Sequence, residues 1–320
     1  MKLLSPKLGE AVMCSDFSMS NDELKRFKLN GYIGPFDLYD HEAIQQDYQE
    51  LRAQLFDRSH AIYKLDHTSR LAGYDRHLDV DFLSAHIMRP EIIHKLRNIL
   101  GPDITCWRSE MFPKYPGDEG TDWHQADTFA HASGAPQIIW PTAQKFGGAI
   151  TVWTAITDST ENNGCLRFIP GTHEEMFYDE SLGMEYAPEF ENRIDKGGVR
   201  RGFFGYDYRN LQKDPNFVPD ESKAVSIEMR AGQFVIFWST LMHASFPNST
   251  TNKTRLGFTA RYVPATVKVY PDTDVIEEYG SRLSLSKYGV VLVSGKDVLG
   301  LNKNLTSSAR GFEFNRYKLA

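Results

Sequence analysis

Two histidines and two arginines stand in settings that could build a metal site. His124 follows Trp123 and opens the segment His124-Gln125-Ala126-Asp127. In non-haem iron oxygenases two histidines and one carboxylate take one face of an octahedral metal, leaving three positions for co-substrate and oxygen. The first histidine and the carboxylate are ordinarily one residue apart, because extended chain sends i and i+2 to the same side. Here the i+2 residue is Ala126. A methyl group cannot ligate a metal, so a further position is open to an external anion, and the obvious small cellular anion is chloride. His243 follows the glycine turn and apolar run Gly232-Gln233-Phe234-Val235-Ile236-Phe237-Trp238 and precedes the small residues Ala244 and Ser245. A jelly-roll delivers its distal metal ligand in this way. Arg255 and Arg261 come next at an even interval, so a strand turns both guanidinium groups to one face. The planar fork suits a dicarboxylate co-substrate. Taken alone, His124 and His243 would be structural more often than metal-binding, and Arg255 half of a surface ion pair.

More of the chain bears on the choice. His124-Gln125-Ala126, the run from Gly198 through Arg200, Arg201, Phe203, Phe204, Tyr206 and Tyr208 to Arg209, the run Phe237 to Ser245, Val269-Tyr270-Pro271-Asp272 and Glu277-Glu278-Tyr279-Gly280 occur in that order. Together they resemble the Fe(II)- and 2-oxoglutarate-dependent aliphatic halogenases of nonribosomal peptide assembly lines, of the syringomycin-pathway type, within the phytanoyl-CoA dioxygenase superfamily. The similarity covers nearly the whole chain. A lone His-x-Ala has no such force; the ordered set does.

The resemblance implies Fe(II) held by His124 and His243, with 2-oxoglutarate bound by Arg255, Trp153 and Thr121. It implies chloride in a pocket walled by Ala126, Phe129 and Ser239, with Arg261 and Thr151 close behind. His131, Phe204 and Glu110 fall at substrate-side positions, and the substrate is an aminoacyl group on the phosphopantetheine arm of a carrier protein. Threonyl, 2-aminobutyryl and branched aliphatic groups all fit that description. His131 departs from the pattern, which has asparagine there; imidazole is larger and can titrate. Trp153 and Phe129 have a second reading as core aromatics, and Phe204 and Glu110 as packing and solvated residues. Arg200, Arg201 and Arg209 with Phe203, Phe204, Tyr206 and Tyr208 read either as a docking rim for an acidic carrier or as an internal loop brace.

Two rival functions follow from the same residues. A strand bulge of one residue would turn Asp127 to the metal and make an ordinary hydroxylase, although i+3 in extended chain points away from the histidine. The related halogenases carry this aspartate beside the alanine without using it as a ligand. The remoter rival is a non-catalytic metal-binding or carrier-binding module.

The elements that must position these residues are legible in outline. Ser20 and Glu23 form a capping box, and a helix from there stops at Gly31. Asp40 caps a second helix, His41 to about Arg58, with Ile44, Tyr48, Leu51 and Leu55 on one stripe. Pro90 opens a third, closed by Gly101, facing Ile92, Ile93, Leu96 and Leu100 inward. From Ile104 the texture changes to short strands, expected over 104–112, 136–141, 148–158, 165–170, 224–229, 233–238 and 255–263. Helices first and strands afterwards predict an α+β fold, a double-stranded β-helix (jelly-roll, cupin-like) with N-terminal buttressing helices over 1–103. Residues 174–223 resist assignment and read as a lid or docking insertion, or as a passive surface excursion.

Bulk properties narrow the classes further. Its 320 residues are read as one domain, 1–320, and 41% hydrophobic content is ample for its core. A formal charge of -6 argues against a nucleic-acid binder. No run is apolar enough for a signal peptide or membrane span, which makes the protein cytoplasmic on this reading. Cys14, Cys106 and Cys165 have neither the count nor the spacing of a disulfide framework or zinc site. The remaining histidines, including His41, His60, His67, His77, His86, His94 and His173, lack ligand spacing.

Overall fold

A computed structural model describes residues 17–56, 60–63, 70–141, 147–188 and 201–320. Cys14, Arg58, His67 and residues 198–200 lie outside these, as does the Arg201 side chain. Helix α1 (Asn21–Asn30) begins at Ser20, whose hydroxyl accepts from the Glu23 amide at 3.2 Å while Glu23 accepts from the Ser20 amide at 2.7 Å. It ends where Gly31 turns left-handed at φ 80°, a conformation open to glycine without Cβ strain. Strand β1 (Tyr32–Asp37) follows, then α2 (His41–Phe56), whose first amides at Glu42 and Ala43 donate to the Asp40 carboxylate. Helices α3 (Asp81–His86) and α4 (Pro90–Leu100) complete the N-terminal layer.

The strands are β2 (Ile104–Lys114), β3 (Gly120–His124), β4 (Ile138–Ile139), β5 (Ile150–Ala155), β6 (Leu166–Phe168), β7 (Arg201–Gly202), β8 (Val225–Ile227) and β9 (Gln233–Trp238). After them come β10 (His243–Ser245), β11 (Arg255–Pro264), β12 (Lys268–Val269), β13 (Val275–Glu278), β14 (Ser281–Ser284), β15 (Val291–Ser294) and a short helix, α5 (Phe314–Tyr317). A six-stranded antiparallel sheet has the order β1-β9-β5-β11-β2-β15, and a five-stranded sheet the order β7-β3-β10-β6-β8. The non-sequential orders make a double-stranded β-helix. Pro35 lies in β1, at the edge of the large sheet, where its missing N–H costs no ladder bond.

Alternation along β11 divides the molecule into layers. Leu256, Phe258, Ala260 and Tyr262 share one core cluster with Leu83, Ile87, Ile92 and Leu96 of the helical layer. The Phe258 ring meets His86 edge-on at 5.1 Å, and the Tyr262 hydroxyl donates to the Ile87 carbonyl at 3.2 Å. Arg255, Thr259 and Arg261 take the opposite face and line a cavity between the two sheets. The α+β jelly-roll with buttressing helices is thus the observed architecture, with several bounds shifted. The stretch expected over 136–141 is strand only at Ile138–Ile139, paired with β12. Among the described residues no helix is long and apolar enough to cross a membrane.

Candidate metal centre and its cavity

His124 ends β3 and His243 begins β10, and the two residues are direct cross-strand partners. Their ring centroids are 3.9 Å apart. The His124 Nδ1 donates to the Asp122 carbonyl at 2.7 Å, and the His243 Nδ1 donates to the Leu241 carbonyl at 2.7 Å. A carbonyl can only accept, so each Nδ1 must carry the proton and each Nε2 keeps a lone pair. This is the tautomer a metal-binding imidazole needs. Burial, and for His124 also its neighbour His243, holds both rings neutral; His124 is pushed well below the usual histidine range and His243 down to about 4.

Among the described residues no third protein ligand joins this pair, and no three His, Cys, Asp or Glu side chains gather in a metal-holding group. Alternation continues past β3: His124 and Ala126 line the cavity, while Gln125 turns the other way and is fully buried. Ala126 is held twice by Ser239, whose carbonyl accepts from its amide at 2.8 Å and whose hydroxyl donates to its carbonyl at 2.6 Å. Asp127 does not line the cavity. Its carboxylate lies against Gly147, so closely that a Cβ there would stand 2.2 Å from Oδ1.

One end of the cavity is cationic. Arg255 is 3% exposed, its Nε has no hydrogen-bond partner, and its guanidinium stacks over the Trp153 ring at 5.4 Å. Burial lowers it to about 10, so it remains charged at neutral pH. Gly257 makes the stacking possible: a Cβ on it would fall 2.0 Å from the Trp153 ring. Thr121 completes this end, with its hydroxyl oxygen accepting from Ser245 at 2.9 Å and its own proton left to donate. Ser245 in turn accepts from Lys114, a buried lysine that burial and then Arg255 push well below its ordinary pKa. These features fit a site for iron and a dicarboxylate: two imidazole lone pairs, a small residue beside them, and a buried cation without an ion-pair partner among the described residues.

The substrate side differs in detail from expectation. Arg261 was expected beside the anion and Glu110 at the entrance; the structure joins them, with Nη1 2.7 Å from Oε1 and Glu110 only 5% exposed. Glu110 is also 3.7 Å from Arg108, a fully buried cation missed in the sequence, which reaches Tyr270 at 2.8 Å and Glu278 at 3.5 Å. Arg108 is an arginine inside an apolar strand, and that was its only signal. His131 lines the cavity with both ring nitrogens buried and unpartnered. Thr151, Phe129 and Phe204 also line it, so all the site residues expected from the sequence border one cavity of about 860 Å³, its open mouth included.

Most of the aromatics of 201–223 face inward, while Arg200 and the Arg201 side chain, on which the docking reading also rests, lie outside the described residues. Phe203, Tyr206 and Tyr208 are buried, and Phe203 packs on the His124 ring at 4.5 Å. Arg209 is neutralised by its own neighbour Asp207 at 2.6 Å. The described part of 174–223 is fastened to the ligand segment instead. Gln125 donates to the Glu175 carbonyl and accepts from the Phe177 amide, the Tyr178 hydroxyl donates to the Trp123 carbonyl, and Tyr208 donates to the Gln125 carbonyl. These bonds are those of an internal brace, and they do not bear on whether the segment also meets a carrier.

Fold and site define a jelly-roll of the Fe(II)/2-oxoglutarate oxygenase type. The chain belongs to the phytanoyl-CoA dioxygenase (PhyH) family, whose model matches residues 27–257. Peroxisomal phytanoyl-CoA dioxygenase of Homo sapiens is 30% identical over 163 residues, 50% of this chain and 40% of that protein. Phytanoyl-CoA dioxygenase 1 of Oryza sativa subsp. japonica is 23% identical over 59% of this chain and 50% of that protein. The chain spans about half the length of these curated relatives. Among solved structures, CytC3 with Fe(II) and alpha-ketoglutarate is 43% identical, with a TM-score of 0.73 over 94% of this chain and 98% of that one. The apo non-heme monooxygenase ThoJ, at 21% identity and TM-score 0.62, shares the fold.

Proposed function

We propose that this protein is an Fe(II)- and 2-oxoglutarate-dependent halogenase that chlorinates an unactivated aliphatic carbon of an aminoacyl group tethered to a carrier protein. The observation that carries the reading is Ala126 on the metal side of His124, with Asp127 turned against Gly147. The likeness to CytC3, solved with Fe(II) and alpha-ketoglutarate, supports the same two ligands here. The reading takes 1–320 as one catalytic domain, in keeping with a core cluster that runs from Met19 to Phe314.

His124 and His243 would hold the iron through Nε2. Bound iron, with 2-oxoglutarate and oxygen, would supply the oxidising power to abstract hydrogen from carbon. Arg255 takes the distal carboxylate in a bidentate grip, with Thr121 as a neighbouring donor and Trp153 as the wall beneath it. Charge balance favours an added anion. Fe(II) and Arg255 against a dicarboxylate leave one positive charge, which a ligand aspartate would cancel in a hydroxylase; here chloride cancels it, in the space bounded by Ala126, Phe129, Ser239 and Thr151. Arg261, already matched by Glu110, adds polarity rather than net charge.

The cavity wall decides the outcome, because the carbon must be held nearer the halide than the hydroxyl-donating position. His131, Phe203, Phe204 and Tyr279 border the cavity, which supports this role for them. The test is anaerobic loading with Fe(II), 2-oxoglutarate and chloride, then oxygen, with mass spectrometry against aminoacyl carrier proteins and the matching free amino acids. Chlorinated carrier-bound product is expected, with free amino acids very poor substrates. Hydroxylated product that ignores chloride would defeat the halogenase reading; equal turnover of free and tethered groups would defeat the carrier.

A further inference from the structure

Between Ala126 and His131 the chain makes a turn whose shape has an identifiable cause. Phe129 is left-handed at φ 59°, an unfavourable state for a bulky residue that persists only where its surroundings impose it. Glu180, in the brace, supplies the imposition. Its Oε2 accepts from the Thr128 amide at 2.7 Å, the Thr128 hydroxyl at 3.0 Å and the Ala130 amide at 3.4 Å. Amides on either side of a left-handed residue form a concave nest that binds anions, and here an internal carboxylate fills it. The two loops are in close contact, since a Cβ on Gly134 would stand 2.7 Å from the Ser181 carbonyl oxygen. So fixed, the Phe129 ring lies 5.1 Å from the Arg261 guanidinium and 5.0 Å from Trp107, beside Ala126 in the cavity wall.

We propose that Glu180 is a positioning residue of the anion pocket: its carboxylate occupies the nest around Phe129 and thereby keeps Phe129 and Ala126 shaped for a halide at the metal. The role of the pocket rests on the halogenase reading; the hold on the loop does not. Glu180 is buried, and burial raises it to about 7, with the nest hydrogen bonds pulling down and Asp127 pushing up. The other titratable group facing it is Tyr208, while Lys213 acts on Asp127. Relative to the unfolded chain, whose glutamate titrates at 4.5, ionising this carboxylate costs the folded state as pH rises from 4.5 to about 7. Glu180→Gln should therefore leave the unfolding midpoint at pH 8 unchanged or raised, while weakening the charge-assisted nest.

The experiment uses full-length protein in two measurements. In the anaerobic Fe(II)·2-oxoglutarate complex, chloride is titrated by the charge-transfer absorption band. Glu180→Gln is expected to bind chloride about tenfold more weakly at pH 8, from the loss of charge-assisted hydrogen bonds, with 2-oxoglutarate affinity unchanged. Wild-type affinity should rise as pH passes about 7 and the variant's should not. In the second measurement, amide exchange across 126–131 should quicken in the variant, and Glu180→Asp should recover part of both effects. Unchanged chloride affinity with unchanged exchange would overturn the proposal, as would a general loss of stability. If wild-type protein gives no chloride response, the halogenase reading fails and amide exchange alone decides the hold of Glu180 on the loop.

Discussion

Arg255 shows what burial does to a single side chain. A guanidinium lowered to about 10 stays charged at neutral pH, and an amine, which starts lower, has less margin under the same burial. Lys114, its cross-strand partner, is a measure of this, being pushed far down by burial and by Arg255 itself. Arg255→Lys should therefore lose the bidentate fork and hold its charge less firmly, raising the 2-oxoglutarate requirement by about tenfold or more. Because an amine with a depressed pKa gains its proton as pH falls, the variant's requirement should improve toward low pH while the wild type's does not. A variant indistinguishable from wild type would move the clamp elsewhere. At this scale the sequence was most legible: spacing alone paired His124 with Ala126, and Arg255 with Arg261, on shared faces. What it could not show was partnership. That Ser239 holds Ala126, that Glu110 neutralises Arg261, and that Glu180 fills the nest at Phe129 all depend on residues brought together across long intervals of chain.

Elements carry these residues with little room for adjustment. Strand β11 alternates between the helical layer and the cavity, and Gly257 is the one cavity-facing position that must be empty. Gly257→Ala would force the Trp153 ring off its seat and away from Arg255. We expect destabilisation of about 1–3 kcal/mol from overpacking, read from the unfolding midpoint, together with weaker 2-oxoglutarate binding. Normal binding in a destabilised variant would separate the ring from the co-substrate site. Helix ends were readable because caps are local: Ser20 with Glu23, Asp40, Pro90 and Gly101 each act within one turn. Strands β1, β3, β7, β10 and β12 to β15 were not, although β3 and β10 bear the histidines. Gly120-Thr121-Asp122-Trp123-His124 has no apolar alternation, β10 is three residues long, and β1 contains Gly34 and Pro35. Their pairing comes from the sheet rather than from their own preferences.

At the scale of the whole molecule, Glu278 joins parts that are far apart in sequence. Its carboxylate accepts from Tyr74 at 2.6 Å, from Arg108 at 3.5 Å and from Gln137, tying the hairpin of β13 and β14 to the helical layer, the large sheet and the ligand loop. The next residue, Tyr279, donates its amide to the Tyr206 hydroxyl at 2.7 Å and so joins the brace as well. Burial raises the Glu278 pKa, but Arg108, His131 and the hydrogen bonds from Tyr74 and Gln137 outweigh it, and the net direction is downward from 4.5. A carboxylate lowered in the folded state stabilises above its unfolded value and loses that contribution as pH falls through its folded one. Glu278→Gln should thus be less stable than wild type by about 3 kcal/mol at neutral pH, the lower end for breaking a buried pair, since Arg108 keeps Glu110 at 3.7 Å and Tyr270. The difference should shrink as pH drops below 4.5, where wild-type Glu278 also takes up a proton. Paired denaturant titrations from pH 7 to pH 3 measure this difference directly. A gap that stayed constant across that range would mean the residue acts through its shape, and that the charge of Arg108 is balanced by Glu110 alone.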